Sequence, residues 1–189
     1  MSLRATICIP TLSARRLPYL REAVASARKQ TCQEIEIIIS DDGEDLPVRE
    51  FAEQEAAADP RVRYRRNVRR LGLGGNWNAV AAEARGEYLV IIGDDDRLLP
   101  GFVDGLLSSS HGDYAVIFSN HHIIDSNGDR LDGMTRQFTA TYGRAALSPG
   151  ELPDPAGSVW RNSIPMSSSL IRTADVQRLG IKTDLNTPE

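Results

Sequence analysis

Short apolar, β-branched segments alternate with segments of helical periodicity through the first hundred residues. The runs ATICI, IEIII and YLVII predict buried strands at 5–9, 35–39 and 88–92, each ended by a Pro, Asp or Gly within two residues. Weaker strands are predicted at 62–65 and 114–119. Helices are predicted at 18–30, 47–58, 77–84, 100–108 and 173–179. A hairpin turn is predicted at 123–130 and a long Pro- and Gly-containing loop at 148–158.

Strands that alternate with helices over short connections predict an α/β fold with a mostly parallel sheet and right-handed crossovers. In such sheets, ligands bind at the carboxyl ends of the strands. The polar residues at those ends are therefore the candidate site residues. They lie at 11–15, 41–42 and 94–96.

The length and the net charge of the chain limit the classes of protein to which it can belong. The 189 residues predict one domain, and the net charge of −4, from 22 basic and 26 acidic residues, argues against a nucleic-acid partner. No apolar run approaches the roughly 18 residues needed to span a membrane. The two cysteines, Cys8 and Cys32, give little basis for a disulfide framework, so we expect reduced thiols inside a cell.

Three consecutive carboxylates, Asp94, Asp95 and Asp96, follow the most apolar strand. Like charges so close together repel, and a bound Mg²⁺ or Mn²⁺ would compensate, because these ions prefer oxygen ligands. The alternative is a solvated acidic turn that precedes the helix at Pro100. The position of the triplet at the ligand-binding edge favours the metal.

Two further polar groups have both a binding and a structural interpretation. Asp42 can accept hydrogen bonds from a base or a ribose, or it can simply shape a turn with Gly43. The arginines around Asn67 suit phosphate oxygens, but they could equally form a solvated basic face. These arginines are Arg65, Arg66, Arg69 and Arg70.

The segments TICIPT, LREAVASARKQT, EIEIIISDDG and GNWNAVAAEARGEYLVIIGDDDRLLP stand in a specific order. In that order the chain resembles the family 2 glycosyltransferases, which are inverting enzymes that use nucleotide-diphosphosugar donors. The resemblance covers roughly residues 5–130. It implies the GT-A fold, a Rossmann-like three-layer α/β/α sandwich, and a single nucleotide-sugar-binding domain over 1–189.

The resemblance also implies nucleotide-binding residues. Pro10, Thr11 and Ser13 stand at the family's first turn, where this chain has the sequence PTLS and lacks the aromatic residue that often packs on the base. Asp42 would hydrogen-bond the nucleobase. Asn78 falls where the family has the Asn of an Arg-Asn pair, and because Trp77 precedes it, phosphate contact would pass to Arg69 or Arg70.

The family's Asp-x-Asp-Asp motif aligns with Gly93-Asp94-Asp95-Asp96, with glycine in place of the first aspartate. In that register the resemblance implies that Asp95 is the principal ligand of Mg²⁺ or Mn²⁺ through the diphosphate. Asp94 would lie near the ribose or the metal, and Asp96 would orient the site. The metal would neutralise the departing nucleoside diphosphate while a carboxylate base deprotonates the acceptor hydroxyl.

The family's catalytic base normally lies beyond a segment like SSSLIRTADVQRLG, so we expect it beyond Glu189, with this chain ending before the acceptor region. The acceptor would be a sugar or a lipid-linked sugar, in cell-surface polysaccharide or glycolipid synthesis. The expected location is cytoplasmic, including the inner face of the membrane. Two alternatives stay open: a catalytically silent nucleotide-sugar-binding scaffold and, less favoured, a sugar-phosphate nucleotidyltransferase.

Overall fold

Alternate residues of the central strands face opposite sides of one sheet, and helices cover both sides. The computed structural model describes residues 2–110 and 112–181. The strands are β1 (Ala5–Thr11), β2 (Ile35–Asp41), β3 (Val62–Arg66), β4 (Tyr88–Ile91), β5 (Val116–Phe118) and β6 (Ser169–Arg172). The helices are α1 (Leu17–Arg28), α2 (Leu46–Ala58), α3 (Gly72–Glu83), α4 (Phe102–Ser109), α5 (Asp132–Thr141), α6 (Pro155–Trp160) and α7 (Thr173–Leu179).

The six strands form one sheet in the order β3-β2-β1-β4-β6-β5. Strand β1 pairs in parallel with β2 and β4, and β2 pairs in parallel with β3, whereas β6 runs antiparallel to β4. The predicted α/β fold with a mostly parallel sheet is thus confirmed. Because β1, β2 and β3 point the same way, their carboxyl ends meet at one edge.

Two apolar clusters show how the layers are held together. Ile7 and Ile9 of β1 belong to a cluster that includes residues of α1, α2 and α4. Cys8, the residue between them, packs in a second cluster with Val80 and Ala81 of α3. This period-2 alternation places helices on both faces of the sheet, as a three-layer sandwich requires.

Strand β1 continues two residues past the point where its pattern predicts an end. Pro10 pairs with Ser40 in register with β2. The pairing of β1 with β4 ends at Cys8, whose carbonyl accepts a hydrogen bond from Ile92 N at 3.0 Å. Pro10, two residues later, faces that same side beyond the end of β4, so its missing N–H removes no hydrogen bond of the sheet.

The Gly-rich segment 72–75 is helical, although the helix predicted nearest to it covers only 77–84. Helix α3 begins at Gly72, five residues before the predicted start at Trp77. The carboxylate of Asp42 accepts hydrogen bonds from Leu71 N and Gly72 N, both at 2.8 Å. A negative group on these otherwise unpaired amides stabilises a helix start that glycine alone disfavours.

Backbone contacts divide the chain into two units, the first formed by the described residues of 1–117 and 170–189 and the second by residues 118–169. In the second unit, a single antiparallel bridge joins Ile124 to Arg130 around the predicted turn at Asn127-Gly128. Helix α6 begins within the predicted loop 148–158 and ends two residues after it. The helix forms there because Asp154 caps its first turn by accepting a hydrogen bond from Gly157 N at 2.9 Å. The prediction of one domain over 1–189 stays a prediction.

No helix in the described part of the chain has both the length and the apolar character that a membrane crossing needs.

Candidate functional site

The carboxyl-end edge of the parallel strands lies within the first unit, and four chain segments meet there. Residues 11–16 follow β1, residues 41–45 follow β2, residues 66–72 join β3 to α3, and residues 93–96 follow β4. This edge is where a parallel α/β sheet places ligands.

The acid cluster, defined as Asp94, Asp95 and Asp96, already has a positive partner. Arg16, from the turn between β1 and α1, donates from Nε to Asp94 Oδ1 at 2.5 Å, and its Nη2 lies 2.8 Å from Asp95 Oδ2. Thr11 Oγ1 donates to the second oxygen of Asp94 at 2.8 Å. The repulsion that we expected a metal ion to relieve is therefore relieved, in this structure, by a guanidinium group.

Burial would lower the pKa of the Arg16 guanidinium, but the hydrogen bonds and charges of Asp94 and Asp95 outweigh it and raise that pKa above its ordinary value. Arg16 therefore carries a positive charge at neutral pH.

Gly93 makes room for the acid cluster. A Cβ atom at this position would lie 2.6 Å from Asp95 Oδ1 and 3.2 Å from Asp96 Oδ2. Asp96 Oδ2 also accepts from Gly93 N at 2.9 Å, which closes a tight turn. The absence of a side chain at Gly93 thus leaves the space that the carboxylates of Asp95 and Asp96 occupy.

The two consecutive aspartates after β2 have different partners. Asp41 accepts from Gly43 N at 2.8 Å and from the Tyr64 hydroxyl at 3.0 Å, so both of its oxygens hold the local structure. Burial and the charge of Asp41 raise the pKa of Tyr64 to about 12, which keeps this hydroxyl a donor. Asp42, in contrast, lines a cavity.

This strand-end cavity has a volume of about 380 Å³. Leu12, Ser13, Asp42, Arg66, Arg69 and Arg70 are among its lining residues. Arg69 and Arg70 are exposed, and Arg66 lies 3.6 Å from Glu44. A cavity of this size that combines a buried carboxylate with arginine side chains suits an anionic ligand that also carries N–H donors.

The cavity and the acid cluster share one chain segment. Leu12 and Ser13 line the cavity, while Thr11 and Arg16, on either side of them, hold Asp94. A ligand in the cavity can therefore extend along residues 11–16 to the acid cluster. The structure brings together most of the predicted site residues: Thr11, Ser13, Asp42, Arg70 and Asp94–Asp96, with Pro10 preceding them at the end of β1.

Asn78 lies elsewhere. It donates from Nδ2 to Ile181 O and accepts from Ile181 N, both at 2.7 Å, in a separate groove between α3 and α7. The asparagine that joins the site is Asn76, which is about 200° away around the helix. Its side chain accepts from Ser40 Oγ at 2.6 Å and from Asn67 Nδ2 at 3.0 Å.

Sequence reasoning missed Asn76, although a signal for it exists. With α3 starting at Gly72, Asn76 stands one turn before Val80 on the buried face. The buried network continues from Asn76 through Asn67, whose Nδ2 also donates to Asp42 Oδ1 at 2.6 Å. Arg65 completes it by donating to Ser40 Oγ and to Asn67 Oδ1. The network fixes Asp42 relative to α3.

The acid cluster fits a divalent cation in its chemistry. It offers hard carboxylate oxygens, and Arg16 shows that Asp94 and Asp95 can share one cation. Within residues 2–110 and 112–181, no three His, Cys, Asp or Glu side chains converge as a preformed metal site. Such an ion would therefore take most of its ligands from phosphate oxygens and water.

A sequence profile confirms the family resemblance. The profile described as "Glycosyl transferase family 2" matches residues 6–161, which is most of the chain. The chain belongs to glycosyl transferase family 2.

Several proteins similar to the family 2 chain are named as glycosyltransferases. It is 30% identical over 127 residues to the GalNAc(5)-diNAcBac-PP-undecaprenol beta-1,3-glucosyltransferase of Campylobacter jejuni, which covers 67% of this chain and 40% of that protein. It is 32% identical over 116 residues to the glycosyltransferase GlyG of Streptococcus pneumoniae, which covers 61% of this chain and 37% of that protein. The chain thus spans about 40% of the length of these relatives.

Among solved structures, S. aureus TarS 1-349 in complex with UDP-GlcNAc superimposes with a TM-score of 0.53 at 16% identity. The match covers 93% of the family 2 chain and 47% of that structure. TarS 1-349 itself gives a TM-score of 0.54 over the same share of the chain. These likenesses support the fold, which is that of the GT-A glycosyltransferases.

Proposed function

We propose that this chain is the donor-binding part of an inverting, metal-dependent glycosyltransferase that takes a sugar from a nucleotide-diphosphosugar. The observation that carries the proposal is the strand-end cavity, which holds Asp42 beside Arg69 and Arg70 and shares residues 11–16 with the acid cluster. The acceptor would be a sugar or a lipid-linked sugar, as in the C. jejuni relative named for an undecaprenol substrate. Cell-surface polysaccharide or glycolipid synthesis, at the inner face of the membrane, is the corresponding role.

Asp42 has the remaining hydrogen-bonding capacity that base recognition needs. Its Oδ1 accepts from Asn67 Nδ2 and Leu71 N, whereas its Oδ2 accepts only from Gly72 N among the described contacts. Each carboxylate oxygen has two lone pairs, so Oδ2 can accept one N–H from a nucleobase. The network behind Asp42 holds that oxygen in place, which favours specificity because an unpaired donor in the cavity loses binding energy.

The diphosphate would lie between the arginines of the cavity rim and the acid cluster. Arg69 and Arg70 supply guanidinium groups that match phosphate oxygens, and exposure leaves them free to reorient. Asp95 and Asp94 would hold Mg²⁺ or Mn²⁺. When bound, the ion supplies positive charge where the departing diphosphate gains negative charge.

In the proposed reaction, the oxygen of the acceptor hydroxyl attacks the anomeric carbon from the face opposite the nucleotide. The bond from that carbon to the diphosphate oxygen breaks, the diphosphate leaves with the electron pair, and a base takes the hydroxyl proton. This chain's residues bind and orient the donor. We place the base beyond Glu189, in line with the family resemblance.

Calorimetric titration of UDP, GDP and their sugar conjugates, with and without Mn²⁺, tests the proposal. We expect one nucleotide series to bind, more tightly with Mn²⁺, and Arg70→Gln to weaken that binding by about ten-fold, because a charge-assisted phosphate contact is lost. Arg85→Gln removes an exposed arginine beside the start of β4, at the opposite edge of the sheet, and should leave the affinity unchanged.

The outcomes separate the alternatives. Binding without release of sugar, in a longer chain that includes the acceptor region, would support the silent scaffold. The proposal would be contradicted if a folded sample bound no nucleotide, or if Arg70→Gln and Arg85→Gln lowered the nucleotide affinity equally.

A further inference from the structure

The acid cluster and Arg16 form an arrangement that the proposed function does not by itself require. One guanidinium group bridges two carboxylates: Nε contacts Asp94 at 2.5 Å and Nη2 contacts Asp95 at 2.8 Å. Arg16 reaches them from the turn that follows β1, nearly eighty residues away in sequence. The bridge therefore ties the loop that lines the strand-end cavity to the candidate metal ligands.

The two halves of the bridge differ in accessibility. The side chain of Asp94 is 6% exposed and is fixed on its other oxygen by Thr11. The side chain of Asp95 is 54% exposed, and that of Arg16 is 45% exposed. Asp94 is thus held in place, whereas Arg16 can turn away into water without leaving a cavity behind, because its long side chain already lies half in solvent.

A divalent cation needs the same carboxylate oxygens that Arg16 contacts. Two cations within a few ångströms of each other repel strongly where water is partly excluded. A metal ion on Asp95 and Asp94 therefore requires Arg16 to leave at least one of them.

We propose that Arg16 is the resident counter-cation of the Asp94–Asp95 pair and that divalent metal must compete with it for these carboxylates. The inference rests on the proposed metal-dependent function and adds its regulation. Without metal, Arg16 offsets part of the negative charge of Asp94 and Asp95, and it sets how much metal is needed to replace it. A divalent metal ion alone then binds weakly. A metal ion that is bound to a nucleoside diphosphate binds more tightly, because the nucleotide makes additional contacts with the protein.

Titration of MnCl₂ alone, followed by the EPR signal of free Mn²⁺, tests this inference without reference to activity. We expect Arg16→Gln to bind Mn²⁺ about five-fold more tightly than the wild type, the effect of removing a partly exposed ion pair. Arg15→Gln, which removes the same charge from the neighbouring exposed residue, should change the affinity by less than about two-fold. Asp95→Asn should weaken binding and abolish the effect of Arg16→Gln.

Arg16→Lys gives a second test of the inference in case Arg16→Gln does not fold. It keeps one positive charge but cannot bridge two carboxylates with a planar fork, so its Mn²⁺ affinity should lie between those of the wild type and Arg16→Gln. Equal affinities for the wild type, Arg16→Gln and Arg16→Lys, including no measurable binding by any of them, would overturn the inference. So would weaker binding by Arg16→Gln.

The nucleotide titrations keep this result separate from the proposed function. Tighter Mn²⁺ binding by Arg16→Gln in a protein that binds no nucleotide would support the competition and contradict the donor-binding role. If Mn²⁺ enhances nucleotide binding but Arg16→Gln leaves the affinity for Mn²⁺ alone unchanged, the donor-binding role is supported and the competition is contradicted.

Discussion

Asp41 and Asp42 show how neighbouring residues of one type come to have different roles. At the end of a strand, successive side chains point to opposite sides. Asp41 therefore meets Tyr64 and the amide of Gly43, while Asp42 meets the start of α3 and the strand-end cavity. Only Asp42 is placed to contact a ligand, and its neighbours rather than its chemistry make the difference.

Glycine is needed at position 43 because the backbone of Leu12 approaches it closely at the wall of the strand-end cavity. A Cβ atom at this position would lie 2.0 Å from the carbonyl oxygen of Leu12, and backbone cannot move aside as a flexible side chain can. We predict that Gly43→Ala lowers the free energy of unfolding by about 2 kcal/mol, the usual effect of forcing extra volume into a packed site. Urea denaturation measures it.

Gly105→Ala is the matched control. A Cβ atom at Gly105, on the exposed side of α4, meets nothing within 4 Å, so alanine should raise stability by up to about 1 kcal/mol. Equal stability of the two variants would show that the approach of Leu12 to Gly43 is not a constraint.

At the scale of elements, carboxylates at helix ends connect neighbouring parts of the sheet. Asp42 receives the first amides of α3, where negative charge is favoured. Asp59, in contrast, lies at the C-terminus of α2, where the helix dipole disfavours a carboxylate. Two arginines compensate: Arg61 donates to it at 2.9 Å and Arg28 at 3.1 Å.

Hydrogen bonds from Arg61, which outweigh the effect of burial, and further bonds from Arg28 hold the pKa of Asp59 well below its usual range. The stabilisation is therefore complete above the unfolded pKa of about 3.9 and is lost as the pH falls toward the folded value. We predict that Asp59→Asn lowers the free energy of unfolding by about 2 kcal/mol at pH 7.

The difference between wild type and Asp59→Asn should shrink as the pH is lowered from 5 to 3, as measured by urea denaturation at each pH. A difference that stays constant over this range would mean that the ion pairs do not hold the carboxylate charge.

At the scale of the molecule, hydrophobic periodicity was enough to predict the parallel part of the sheet. Strands β1, β2 and β4 and helices α1 and α2 lie within about two residues of their predicted bounds, because each buries a continuous apolar run or stripe. Strand β3 also lies within two residues of its predicted bounds, although only Val62 in it is buried. Helix α7 has the predicted bounds, Thr173–Leu179. It ends at Gly180, whose φ of 68° favours glycine.

Elements that bury no residue, or that depend on contacts with distant parts of the chain, escaped prediction. Helix α5 has no buried residue, and polar residues outnumber the apolar Met134, Phe138 and Ala140 in it, so it was not predicted. Strand β6 has four residues and depends on its antiparallel pairing with β4, a tertiary contact that local sequence does not encode. The early start of α3 likewise depends on Asp42, thirty residues before it.

The candidate site was predictable as a set of residue types at strand ends, but not as a set of contacts. Their strand-end positions pointed to Asp42 and the acid cluster, and the family resemblance assigned them roles. The parallel sheet explains why they share an edge. The bridge from Arg16 and the network through Asn76 join residues far apart in sequence, and no spacing pattern marks them. Asn78 matches a family position, yet its contacts lie in the groove beside α7.

The central claim, that a donor nucleotide binds at the carboxyl-end edge of the parallel strands, is tested most directly by amide hydrogen exchange. The exchange would be measured with saturating UDP or GDP in the presence of Mn²⁺, and without nucleotide. The account predicts slower exchange in residues 11–16, 42–45 and 66–72 with one of the two nucleotides. Protection confined to the groove of Asn78 and α7, or no protection by either nucleotide, would contradict it.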